Sequence, residues 1–555
     1  MDWRRPFRAS GCVGSPVLVS AIAGLWRVEN QIGGQPERAG EWVGQQWRCE
    51  HRQHGDDLNS VPRHVRPHCQ EPDREPRREE HLGDDQVHEV RADEMVRAPA
   101  VRAERTLRTA RLQEEPSPEE PSGATLWAVQ RECAGNPQAR RRQDGGRGHL
   151  CKLHSSEYEH TLDTDSRMPG RHHLFVPGPS NVPDRVLRAM HRAQEDHRSS
   201  AFPELTHGLL RDIKPVFGAV EARPFLFAST GTGMWEAAIT NTLSPGDKVL
   251  AVRLGQFSHL FIDTAEKLGL KVDVIDLEWG EAFDPADIGE RLAADASHAY
   301  KAVLVVHNET ATGVTNDIAG LREAMDATKH PALLFVDGVS SIGSVEFQQD
   351  AWGVDVAITG SQKGFMMPAG LGMVSLSPRA LELLGSAGFA RHYFDLRPQV
   401  LHNDQGYFPY TPALAHLFGL REALDMMAEE GLTQIHARHA RLGEGVRRAV
   451  AAWELRNCAR DPERRSNTVT AIVVPEGKDA RQVIDHAYQR WDMALGSGLG
   501  RLNGKVFRIG HLGDCNAGML LGAIALTELA LHDAGIDVPF GAGVAAAQRW
   551  YRESA

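Results

Sequence analysis

From about residue 174 onward, short apolar runs alternate with stretches whose apolar residues recur at helical spacing. The runs cover 224–229, 248–254, 272–277, 302–306, 332–336, 356–358 and 370–376. They are nearly continuous in Val, Leu, Ile, Phe and Ala, as expected of strands buried on both faces. A helix is predicted over 234–243, and another opens at Phe257. This alternation predicts an α/β fold with a mainly parallel, seven-stranded-type sheet covered by helices on both faces. A long helix over 411–430 leads to a second block: strand 468–474, helix 480–490, strand 505–509 and helix 517–531. The expected division is a large domain over 168–430, including an N-terminal arm, and a smaller α/β domain over 431–555.

Residues 1–167 have a different texture. They are rich in Arg, Glu, Gln, His and Pro, contain one lysine, Lys152, and hold five of the seven cysteines: Cys12, Cys49, Cys69, Cys133 and Cys151. Only 12–26 is apolar, and with Arg4, Arg5 and Arg8 before it that start loosely resembles a signal peptide, though no clean small-residue cleavage site follows. A helix over 89–112 is the one periodic stretch beyond residue 48. This composition does not bury enough apolar surface to offset the entropy of ordering. The expectation is a low-order extension, or upstream sequence preceding a true start at Met168. His64, His68 and Cys69 lack a second half with ligand spacing, so no metal site is expected.

Overall the chain has 555 residues, 41% hydrophobic and 25% charged, with a formal net charge of −12. An acidic balance argues against general nucleic-acid binding. Seven scattered cysteines without a C-x-x-C pair do not form a disulfide framework, and the expected compartment is the cytoplasm. No apolar run approaches the ~18 residues needed to span a membrane.

The chemistry-bearing residues stand at the ends of the predicted strands. The strand at 356–358 runs into Gly360-Ser361-Gln362-Lys363-Gly364. A lysine among small residues at the end of a buried strand can be desolvated, and so made nucleophilic or held covalently. The most apolar strand, 332–336, is followed by Asp337, a carboxylate that needs a cationic or hydrogen-bonding partner, or that caps the next turn. After 224–229 come Thr230-Gly231-Thr232-Gly233 and a helix. That arrangement binds phosphate through free N–H groups and the helix dipole, and it also occurs as a simple helix cap. Phe257 at a strand exit either stacks on a planar ligand or fills the core. The polar cluster 307–313 follows a strand at the sheet edge where ligands bind in open α/β folds. The turn PGPSN, 177–181, is an arm over a site or an ordinary turn.

A lysine, an aspartate and a Gly/Thr helix N-terminus are the needs of pyridoxal 5'-phosphate. PGPSN, STGTGMWEA, HNETATGV, VDGVSSIG, GSQKG and FRIGHLG occur in that order. Together they resemble the class V pyridoxal-phosphate-dependent aminotransferases, in particular the serine–glyoxylate and alanine–glyoxylate group, over about 174–531. The resemblance implies a fold-type I transferase and a role for each matching position. Lys363 matches the lysine that binds the cofactor, and Asp337 the partner of its ring nitrogen. Thr230, Gly231, Thr232 and Gln362 match the phosphate site, and Thr310 the hydroxyl near the ring oxygen. Phe257 matches the stacking aromatic, where many members carry Trp. Arg508 matches the arginine that grips the substrate carboxylate, which suits a planar guanidinium. Thr411, beside Tyr407 and Tyr410, matches a segment that reaches the partner's phosphate across a homodimer.

The resemblance implies transfer of the amino group of a small amino acid, serine or alternatively alanine, to glyoxylate. Serine would give hydroxypyruvate and glycine. A cysteine desulfurase-like lyase on the same scaffold needs a reactive cysteine on a mobile loop. Beyond residue 167 only Cys458 and Cys515 occur, and Gln362 and Phe257 stand where those enzymes tend to carry His. A binding protein built on 1–167 is the third class, opposed by its lack of patterning.

Overall fold

The computed structural model describes residues 170–555. The expectations for 1–167, including the apolar start, the helix over 89–112 and the His64/His68/Cys69 group, and the proposed start at Met168, lie outside the described residues.

The chain opens with β1, His173–Phe175, and a short helix at Asp184–Met190 with Pro183 as its N-cap. After a helix at Phe202–Asp212 come β2 (Arg223–Ser229), α1 (Gly231–Thr242), β3 (Lys248–Arg253), α2 (Gln256–Lys267) and β4 (Lys271–Asp276). Next are β5 (Tyr300–Val306), the small hairpin β6 (Asn308–Glu309) and β7 (Val314–Thr315), α3 (Ile318–Thr328), β8 (Leu333–Asp337), β9 (Val356–Gly360) and β10 (Gly370–Leu376). The last part holds α4 (Leu414–Glu430), α5 (Leu432–Ala452), β11 (Arg456–Asn457) and β12 (Val469–Val473). It continues with α6 (Ala480–Trp491), β13 (Met493–Ser497), β14 (Val506–Gly510), α7 (Ala517–Asp533) and α8 (Ala542–Glu553).

The large sheet has seven strands in the order β2-β10-β9-β8-β5-β3-β4. It is mixed: β10 runs antiparallel to both neighbours, and the other pairs are parallel. The period-2 geometry of a strand explains the continuous apolar runs. Leu334 and Val336 face one buried cluster, while Leu333 and Phe335 face another across the sheet. Both faces are covered, so neither set of positions can be polar.

The smaller sheet has the order β1-β13-β14-β12-β11. Its edge strand β1 comes from residues 173–175 and pairs in parallel with β13. The segment read from sequence as an arm therefore begins as a strand of the C-terminal sheet. Helix α5 is absent from the sequence-based prediction. Its buried positions, Ile435, His439, Leu442, Val446, Ala449 and Val450, form a helical stripe in an otherwise charged segment.

The large sheet fixes the lysine loop through a close backbone approach. A Cβ on Gly364 would lie 2.4 Å from the Ile342 carbonyl oxygen and 2.8 Å from the Gly343 carbonyl carbon. Backbone cannot yield as a side chain can. Gly364→Ala is therefore expected to destabilise the protein by about 1–3 kcal/mol, the usual range for overpacking. Gly385→Ala, where the added carbon meets nothing within 4 Å, should stay within about 0.5 kcal/mol of wild type. Denaturant unfolding of the two variants checks the difference.

Candidate active site

Strands β5, β8 and β9 end together at one edge of the large sheet. Their register sets Val306 beside Asp337 and Asp337 beside Ile358. The chain then leaves β9 and turns at Lys363. On the other side, Ser229 at the end of β2 pairs with Gly370 of β10, which brings the Thr230 turn and the start of α1 to the same edge. A cavity of about 290 Å³ lies there. Gly231, Thr232, Phe257, Thr310, Asp337, Gln362 and Lys363 line it, together with Gly178, Trp235, Asn308 and Ser340.

Asp337 is the last residue of β8, one position further into the strand than the sequence suggested. It is 3% exposed. Its carboxylate accepts from Trp235 Nε1 at 3.2 Å and from the Val339 backbone N–H at 2.8 Å. Two neutral donors do not offset desolvation, and burial pushes the carboxyl up to about 7. Nearby Glu309 adds to the rise, and the Lys363 charge opposes it.

Lys363 is buried, and its Nζ donates to the Pro177 carbonyl oxygen. Burial brings the amine down to about 8, and the Arg508 charge adds to the effect. The loop's backbone is tied to the N-terminal segment as well. Ser180 N–H donates to Gln362 O at 3.0 Å, and its hydroxyl to Lys363 O at 2.9 Å.

Thr230 is the extended N-cap of α1, and its side chain makes no capping bond. The first turn of α1 contains no acidic residue. The positive end of the helix dipole and the first-turn N–H groups are thus left for an anion. Thr232 lines the cavity, whereas Thr230 is not among the residues that line it. Gln362 Oε1 is buried with no hydrogen-bond partner among the described residues. Thr310 Oγ1 donates to Ser340 Oγ at 2.7 Å, and Ser340 in turn donates to Asn308 O at 2.8 Å.

Arg508, on β14, is 6% exposed. Its Nε donates to Ser497 O at 2.8 Å and its Nη1 to Thr310 O at 3.0 Å. Burial lowers it to about 10. It forms no ion pair with a carboxylate among the described residues, and the Glu309 charge only partly opposes the effect of burial. Thr411 is not brought to this cavity within one chain. It lines a separate crevice with Phe227, Tyr393 and Tyr410.

Sequence reasoning gave no individual role to Trp235, Pro177, Asn308 and Ser340, although Asn308 falls in the 307–313 cluster and Pro177 in the PGPSN segment read as an arm or a turn. Cys458 and Cys515 are both buried free thiols, pushed up by burial to about 11 and about 12. Neither is a reactive thiolate near neutral pH, which speaks against a desulfurase. Among the described residues no group of three or more His, Cys, Asp or Glu is arranged to hold a metal ion, and no helix is long and apolar enough to cross a membrane.

The profile described as "Aminotransferase class-V" matches residues 172–499. The chain belongs to the class-V aminotransferases. It is 58% identical over 394 residues to a serine–glyoxylate aminotransferase of Methylorubrum extorquens, covering 70% of this chain and 98% of that one. It is 49% identical over 387 residues to an L-aspartate–glyoxylate aminotransferase of Paracoccus denitrificans, again 70% of this chain and 98% of the relative. The crystal structure of ureidoglycine–glyoxylate aminotransferase from Bacillus subtilis superposes with a TM-score of 0.65 at 27% identity, covering 70% of this chain and 99% of that one.

A class-V aminotransferase works with pyridoxal phosphate, and this chain's donor set fits that group. A partly neutral lysine, an unpartnered Gln362 oxygen and a helix N-terminus without a side-chain cap face the same cavity. The buried Asp337 carboxyl is short of a cationic partner. Lys363 yields a direct check. Its amine is protonated below about pH 8 and neutral above it, and only the neutral amine is nucleophilic. In cofactor-free protein, capture of pyridoxal phosphate should accelerate through about pH 8 and level off above it. An ordinary lysine would still be accelerating above pH 10. Stopped-flow absorbance over pH 6.5–9.5 distinguishes the two profiles.

Proposed function

We propose that the protein is a serine–glyoxylate aminotransferase, passing the amino group of L-serine to glyoxylate and releasing hydroxypyruvate and glycine. The observation that carries the reading is the convergence of Lys363, Asp337 and the α1 N-terminus on one cavity, with the buried guanidinium of Arg508 held by Thr310 O beside it. The likeness to the Methylorubrum relative supports serine as donor. The Paracoccus relative keeps a second donor class in view.

When bound, pyridoxal phosphate supplies an electron sink for the bond changes at the donor's Cα. Lys363 would hold the cofactor covalently and, once freed, its amine would carry the proton between the donor's Cα and the cofactor, in the opposite sense in the reverse half. An amine near pKa 8 is suited to both directions at neutral pH. Asp337 would hold the proton on the ring nitrogen. Gly231, Thr232 and Gln362 would bind the phosphate with N–H, hydroxyl and amide groups, with Thr230 as the N-cap of the helix that presents them. Phe257 would cover one face of the ring, and the Thr310 hydroxyl would turn from Ser340 to the ring oxygen. Arg508 orients the substrate carboxylate, with Ser497 O and Thr310 O holding the guanidinium still. In this proposal the working form is a cytoplasmic homodimer in which Thr411 serves the partner's site. The large and small domains divide near 430/431.

The absorption spectrum of the purified protein tests the reading. The near-visible band of lysine-bound cofactor should fall on adding L-serine and return on adding glyoxylate. Lys363→Ala should lack the band and lose activity by about 10²–10⁴-fold, the usual worth of a positioned acid–base group. Bleaching by L-aspartate or L-alanine but not by serine would keep the chemistry and overturn the donor. No band with added pyridoxal phosphate would overturn the whole assignment.

A further inference from the structure

Glu309 has no role in the scheme above, yet it lies at its centre. The side chain is fully buried. Its carboxylate accepts from Phe257 N–H at 3.1 and 3.2 Å to its two oxygens, from Ser258 N–H at 2.9 Å and from Ala311 N–H at 3.1 Å. Phe257 and Ser258 lie in the first turn of α2, whose N-cap, Gly255, has no side chain to offer. A carboxylate from β6 thus does the work a local cap would do, and an anion is well placed at a helix N-terminus.

Gly255 makes room for it. A Cβ there would sit 2.3 Å from both Cγ and Cδ of Glu309. The backbone at Gly255 is extended, φ −179°, so the conformation itself would suit any residue. What requires glycine at this position is the carboxylate. Two cavity-lining residues depend on this contact from opposite sides. Phe257 hangs from the N–H that Glu309 accepts. Thr310 is its chain neighbour and presents the carbonyl that holds Arg508 Nη1.

We propose that Glu309 is a positioning residue of the transamination site, fixing Phe257 and the Thr310–Arg508 contact through one buried carboxylate. This rests on the function proposed above. A cap that served stability alone would leave ligand affinities of the folded protein unchanged; a positioning residue does not.

The test measures the pyridoxal phosphate Kd by equilibrium dialysis, KM and kcat with L-serine on cofactor-saturated protein, and thermal unfolding. Glu309→Ala should raise both Kd and KM by about tenfold or more, because the N–H groups that position Phe257 and Ala311 lose their acceptor. Glu309→Gln, which keeps one acceptor oxygen, should recover part of the loss. Gly255→Ala, with Glu309 intact but displaced, should reproduce it. If Glu309→Ala does not fold, the other two variants decide. Variants with a lowered Tm but Kd and KM within about twofold of wild type would overturn the role of Glu309 alone. Failure of the wild-type protein to bind pyridoxal phosphate would overturn this role together with the proposed function.

Discussion

A carboxylate buried at the end of a parallel strand is costly unless something compensates for the water it has lost. Asp337 is in that position, and much of the site can be understood from how it is held. The register of β5, β8 and β9 sets its depth. The indole of Trp235 reaches it from α1, which therefore has to start at Gly231. The Val339 N–H reaches it from the turn just beyond. These donors reduce the cost without removing it, and the proton affinity stays high. A ligand bringing a protonated ring nitrogen would supply the missing compensation. The protein stores part of its selectivity for such a ligand as an unfavourable electrostatic state.

Lys363 and Arg508 show the same logic with the opposite sign. Both are buried cations with only neutral acceptors, Pro177 O for one, Ser497 O and Thr310 O for the other. The Arg508 charge helps lower Lys363. A ligand that carries phosphate and carboxylate would supply the negative charge that these neutral acceptors do not. The two cysteines are a useful contrast. Their burial is apolar and raises their pKa values, which makes them inert packing groups.

Much of this was legible in the sequence because it is local. The large-sheet strands are marked by apolar runs, and every residue read as cofactor-binding except Thr411 stands at or just beyond the end of such a run or opens the next helix. The GSQKG and TGTG turns carry their chemistry in consecutive positions. What was not legible depends on strand order. Trp235 becomes a partner of Asp337 only because β2 and β8 are set in one sheet by β10 and β9. Pro177 contributes a carbonyl, which no side-chain pattern announces. β13, MALGS, has too few apolar residues to read as a strand. Helix α5 hides its buried stripe among arginines and includes His439, which is buried because its ring bonds Ile435 O and the Gly513 N–H.

The least predictable feature is how the N-terminal segment joins the two sheets. β1 belongs to the small sheet by its pairing with β13. Within a few residues the same segment bonds the backbone of the lysine loop through Ser180 and the lysine amine through Pro177. Arg508 makes the reverse connection, from the small sheet to the Thr310 carbonyl at the edge of the large one. The lysine and the arginine are thus each positioned by an element of the other sheet. A relative movement of the sheets that shifted one would shift both. That coupling explains why the residues preceding the large sheet matter to its chemistry, although they contribute no strand to it. It also explains how the PGPSN motif, by sequence an arm over a site or an ordinary turn, places Gly178 and Pro179 in the cavity wall.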